Sequence, residues 1–396
     1  MSIRISNMAT SRQILQSIRS HLEIRGTVLS RIHDHGGGGE SDTERVITDY
    51  RAYKYTRFLF LLGFLGLFIL LAGIDLGVGS YSVSVREVYA ALIDHIYGAI
   101  TGGTLGWCDD PITDSVVWNQ RLPRILAAII VGVGLAVTGA AMQSMLKNPL
   151  ADPYTTGISS GAAFGATIAI TLGIFIIPGD LGVVINAFVF GMVPAVVILM
   201  LSRFRKPSPA MMILAGTSLM YIFNAVQQYM MLVTDPNSSQ QVLSWTTGTI
   251  TTCTWSDLPI MFLVVAAGAV VIMVMSKTFN AMNSGDSYAR SLGIDVDRTR
   301  VIALIVISVV AAGVVSFTGI IGFVGLVAPH IARIFIGSDN RYLIPASALM
   351  GAGLMLFSDT VAHYLVPFDL PIGIVTAVIG GPVFLFLVLR QKKEVW

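Results

Sequence analysis

Long apolar runs joined by short polar links dominate this chain. Ten stand out, at about 58–78, 122–146, 154–177, 181–202, 209–233, 257–276, 300–318, 320–336, 342–365 and 372–390. None alternates apolar with polar positions as a half-buried strand would. About 20 apolar residues carry a helix across a bilayer core, and only helices or closed barrels satisfy their backbone there. The pattern predicts an all-α polytopic membrane protein with about ten transmembrane helices. The eighth run is short and rich in Gly and Pro, and reads as either a half-helix or a full span. Composition agrees: 54% of the 396 residues are hydrophobic and 12% are charged, about half the charge of a soluble domain.

The polar remainder sets the organisation. Residues 1–57 form an Arg-rich extension, read as cytoplasmic and partly disordered, and the membrane domain follows at 58–391. Ile14, Ile18 and Leu22 keep helical spacing among Arg12, Arg19 and Arg25, so an interfacial amphipathic helix is the alternative there. His33 and His35 flank Asp34 in the same extension, too few and too loosely held for a metal site. The first apolar run starts near Phe58, too late for a signal peptide. With both termini inside, 22 of the 25 Lys and Arg face the cytoplasm and only Arg86, Arg121 and Arg124 lie outside. The reverse orientation inverts that split, so the positive-inside rule predicts N-in, C-in. Three stretches then lie outside: 79–120 with a helix over Val85–Tyr97, the Thr/Ser-rich 234–256, and the link 364–371. The largest inner loop, 277–299, reads as a short helix, a Gly break and a second short helix.

Chemistry is sparse. No G-x-x-x-x-G-K-[ST] phosphate loop and no H-E-x-x-H pair occurs, so no catalytic residue and no metal ligand set is expected. The net charge of +2 gives no ground for a nucleic-acid partner. Gly132, Gly134, Gly139, Ala136 and Ala140 give the second run small faces for close helix packing. Asn224, Gln227 and Gln228 are polar groups inside the fifth run; they face either a pathway or neighbouring helices. His330 and Arg333 read as inner-surface structure. Cys108 and Cys253 both fall outside, where a disulfide is permitted but not required. No Asp or Glu lies well inside a run; Asp75 and Asp359 sit near ends.

Several motifs, in order, resemble one family. They are Arg121-Leu-Pro-Arg124, Gln143, Asn148-Pro-Leu-Ala151, Gly157 to Gly161, Ala289-Arg-Ser-Leu-Gly293, Gly322 to His330 and Leu370-Pro-Ile-Gly373-Ile-Val-Thr376. Over about 58–390 the chain resembles the FecCD/BtuC-type permeases of ABC importers for iron–siderophore complexes, haem or cobalamin. The resemblance implies a BtuC-like type II ABC importer fold in the cell membrane and no enzymatic activity. It implies a homodimer of permeases, two cytosolic ABC ATPase subunits and an extracytoplasmic substrate-binding protein. This chain would bind no cofactor, with ATP and Mg held by the ATPase partner. Arg121 and Arg124 match positions that dock the binding protein, and His363 stands where the family has an arginine, a departure that weakens one docking contact. Asp286, Tyr288, Ala289, Arg290, Leu292 and Gly293 match the ATPase-coupling segment. There Asp286 is expected to cap the first short helix, Gly293 to permit a turn, and Tyr288 and Leu292 to share the partner-facing side. Gln143, Asn224, Gln227 and Gln228 are the candidate pathway residues. The rival reading is an ion-coupled secondary transporter, which would show buried carboxylates near mid-membrane.

Overall fold

The computed structural model describes residues 40–77, 83–103, 105–108, 110–204, 206–365 and 370–390. The chain divides into two compact units, Met1–Phe58 and Leu59–Trp396. Of the first, only the start of helix α1, from Glu40, lies among the described residues. The readings made for residues 1–39 fall outside them. All regular structure described is helical.

Each of the ten apolar runs coincides with an apolar helix. Six are long enough to cross a membrane by length and composition, within α1 (Glu40–Gly77), α4 (Leu122–Leu146), α6 (Gly182–Phe204), α7 (Pro209–Val233), α12 (Val296–Thr318) and α14 (Asn340–Leu365). A seventh is α9 (Leu258–Val274), bent by 52° into α10 (Ser276–Asn283). Three are shorter: α5 (Ile158–Leu172), α13 (Val324–Ile336) and α15 (Ile372–Arg390). The remaining α-helices are α2 (Val85–Thr101), α3 (Pro111–Ser115), α8 (Pro236–Thr246) and α11 (Asp286–Ser291), with a π-helical stretch at Val116–Arg121 and a 3-10 turn at Pro153–Thr156.

Local chemistry marks the ends. Ser84 and Glu87 form a reciprocal capping box at the start of α2, and Gly102 closes that helix in the left-handed region. Side chains of Asp110, Ser208, Asp235 and Asp295 cap α3, α7, α8 and α12, with proline next in sequence in the first three. The sequence reading took 234–256 as loop. The Asp235-Pro236 pair was the available signal that α8 begins there.

α4 is the axis of the fold. It is apolar all round and buried for nearly its whole length, as such a helix must be in a bundle. It packs against α9, α12, α13 and α14. Its small residues do this by bringing backbones together. A Cβ at Gly132 would run into the carbonyl of Gly351 on α14, and one at Gly139 into the carbonyl of Gly325 on α13. The packing expectation for these glycines therefore holds.

Candidate functional site

Two groups of polar side chains lie at opposite ends of α4. At its start, four charged residues are shut away from solvent. Arg121 is 2% exposed, Arg124 9%, Asp75 0% and Asp359 1%. Arg124 Nε lies 2.8 Å from Asp359 Oδ2, an ion pair by proximity rather than an aligned hydrogen bond. Arg124 Nη1 reaches His363 Nε2 at 2.8 Å, and His363 Nδ1 is 2.9 Å from the Asp359 carbonyl. A guanidinium only donates, so Nε2 accepts from Arg124 and Nδ1 faces the carbonyl. Thr360 Oγ1 donates to Asp75 Oδ1 at 2.9 Å, and Arg121 Nη1 donates to the Leu76 carbonyl at 2.9 Å. Two carboxylates thus face two guanidiniums.

Arg121, Arg124 and His363, the residues expected to dock a binding protein, are turned into the bundle and engaged within the chain. The reason is that Asp75 and Asp359 supply the opposite charges at the same depth. The sequence places those two carboxylates near the ends of apolar runs; buried without a partner, either would be very costly.

At the far end of α4 stands the segment 276–299. α10 and α11 are separated by Gly285 at φ 127, and Gly293 turns the chain at φ 80. The helix–break–helix reading and the role of Gly293 hold. Asp286 does not cap: it is the first residue of α11 and makes no cap bond. Its carboxylate instead takes Lys147 Nζ and Arg300 Nη2, the latter at 2.8 and 3.0 Å. Burial would raise its pKa, but the bonds from Lys147 and Arg300 hold it below the ordinary carboxylate value. Arg290 lies outward, its Nη2 donating to both carboxylate oxygens of Asp297 at 3.0 and 3.1 Å. Ala289 is fully buried in the core, while Tyr288 is 52% and Leu292 57% exposed. So α11 is anchored through Ala289, with Tyr288, Arg290 and, just past its end, Leu292 held out.

The proposed pathway set separates. Gln143 is buried in α4, where Arg333 Nη2 of α13 donates to its Oε1 at 2.8 Å. It links α4 to α13 in this structure. Asn224 and Gln227 are half-buried and Gln228 exposed, on α7, most of whose surface is open. His330 is buried in α13, as a structural residue would be. Cys108 and Cys253 are free thiols, and burial pushes the Cys253 thiol up to about 12. Among the described residues no group of three His, Cys, Asp or Glu could hold a metal.

Among the described residues, apolar helices packed around a small-residue axis, six of them long enough to cross a bilayer, are the architecture of a polytopic membrane protein. The chain belongs to the FecCD transport family, whose profile matches residues 66–390. It is 39% identical over 356 residues to an ABC transporter permease protein of Methanocaldococcus jannaschii, covering 87% of this chain and 98% of that one. It is 38% identical over 282 residues to the cobalamin import system permease protein BtuC of Halobacterium salinarum, covering 70% and 74%. A solved inward-facing conformation of a metal-chelate type ABC transporter superposes with a TM-score of 0.73 at 30% identity, covering 84% of this chain and 99% of that one. The chain is thus an integral membrane permease component of an ABC transporter, not an enzyme, and the secondary-transporter reading is set aside.

Proposed function

We propose that this chain forms the translocation unit of an importer for a metal chelate, an iron–siderophore, haem or corrinoid. It works as a pair of copies with two cytosolic ATPases and an extracytoplasmic binding protein. The observation that carries the energetic half of this reading is α11. It is a short helix with Tyr288 and Leu292 exposed on one side and Ala289 buried on the other. Large side chains held exposed beside a buried anchor suit a protein partner. ATP chemistry belongs to that partner, because the sequence lacks a phosphate loop. The substrate class is supported by the cobalamin permease and the metal-chelate transporter among its relatives.

The test is uptake into proteoliposomes containing the permease, its ATPase and its binding protein. Ferric siderophore, haemin and cobalamin are offered in turn. ATP-dependent accumulation of one of them is the expected result; accumulation driven by an ion gradient without ATP would overturn the reading. In the same system Leu292→Asp should lower recovery of the ATPase with the permease by about tenfold, since interface anchors of this kind are worth roughly 1–2 kcal/mol. A bulky change at Ala289 is a poor probe, because that side chain fills the core.

Orientation is part of the proposal. In a Cys108→Ser/Cys253→Ser background, a cysteine at Ser208 should react with an impermeant maleimide only from the inside. One at Asn237 should react only from the outside. The opposite pattern would reverse the N-in, C-in assignment.

A further inference from the structure

One carboxylate gathers an unusual number of chain junctions. Asp286 opens α11, and its oxygens bind Lys147, the residue that ends α4, and Arg300, in the first turns of α12. Arg300 is 2% exposed, and its second nitrogen, Nη1, donates to the Pro207 carbonyl at 3.2 Å, just before α7. Lys147 sits in the left-handed region at φ 51, a conformation a non-glycine residue seldom adopts. That turn brings its side chain back over α11. Three spanning helices, α4, α7 and α12, therefore meet α11 at one charged point.

The remainder of α11 is loosely tied by comparison. Ala289 is buried but has only a methyl group to transmit force. Arg290 and Asp297 pair at the exposed surface, where such pairs hold little. The side chains of Asp286 and Lys147 are 34% and 31% exposed, much as Asp297 is at 30%, but Arg300 is buried, so the Asp286–Arg300 contact is the charge-assisted bond here with a desolvated partner. Such bonds are the strong and directional ones.

We infer that Asp286 is the positioning residue of energy coupling: the fixed point through which displacement of α11 is passed to α4, α7 and α12. It touches neither substrate nor nucleotide. The inference rests on the proposed function, because it requires an ATPase seated on the Tyr288/Leu292 side. It goes further in saying that the transmitting element is an ion-pair hub within this chain rather than the exposed face itself.

The experiment uses the full reconstituted complex and reads substrate imported per ATP hydrolysed, together with the amount of ATPase subunit retained. If the wild-type complex shows no ATP-driven uptake, the functional reading fails and the hub is not at issue. If the wild type couples, Asp286→Asn should keep the ATPase bound but lower the import-to-hydrolysis ratio by about tenfold, within the usual range of coupling between linked sites. Asp286→Glu, which keeps the charge, should recover most of the ratio. Lys147→Met leaves the Arg300 pair in place and should give an intermediate loss with assembly intact. A normal ratio in Asp286→Asn would overturn the inference. So would loss of assembly in Asp286→Asn alongside a normal ratio in Lys147→Met, since that is the behaviour of a residue needed only for folding.

Discussion

Replacing Asp359 by alanine is expected to destabilise the folded protein by about 3–5 kcal/mol, the range for breaking a buried pair on one side. The change strands Arg124 beside Arg121, with Asp75 as the remaining carboxylate of the group. It also removes the group 2.8 Å from Arg124 Nε. A fall in the thermal midpoint of the detergent-purified protein measures it. The double change Arg124→Leu/Asp359→Leu should recover much of the loss, because no charge then remains uncompensated from that pair. If the single change left the midpoint unmoved, or the double change were as harmful as the single one, the two residues would not form an energetic unit.

The second large effect is steric. Gly139→Val should yield no folded permease, since the new side chain meets the backbone of Gly325 and neither helix can yield without parting. Overpacking against movable side chains costs typically about 1–3 kcal/mol; against a carbonyl of a neighbouring helix there is no rotamer to relieve it. Gly134→Ala is the control. There a Cβ would lie 3.0 Å from a methyl of Val265 and 3.1 Å from one of Val314, side-chain ends that can shift. Recovery of monodisperse protein after detergent extraction distinguishes the two. A well-behaved Gly139→Val protein would refute the close approach of α4 and α13.

How far the sequence carried can be judged from particular residues. The ten apolar runs were legible because membrane-length hydrophobicity leaves little choice of structure. The inner α10–Gly285–α11–Gly293 segment was legible because its glycines fall where a chain must turn. What a linear reading could not supply was pairing. Asp75 and Asp359 are 284 positions apart, and their meeting around Arg124 follows from packing. The same holds for Gln143 with Arg333 and for Asp286 with Lys147 and Arg300. In each case the sequence announced a polar residue at a helix end and left its partner unnamed. The outer arginines show the same limit: positive charge outside is conspicuous, but the carboxylates that claim it come from other helices. One weak clue existed, since Asp359 and His363 lie four apart, on one face of the same helix end.

The glycine contacts along α4 have a mechanical consequence. Where helices touch through side chains, they can slide, because rotamers rearrange as the ridges pass. Where carbonyl meets Cα, as at Gly132 with Gly351 and Gly139 with Gly325, no such lubricating layer exists. Segments of α4, α13 and α14 are thereby interlocked and have to travel as one solid. Alternation of access must then be accommodated where the chain is not keyed this way. The candidates are α7, with most of its surface open, and the 52° elbow between α9 and α10, which leads directly into α11. An elbow beside a locked block is the geometry of a crank on its bearing.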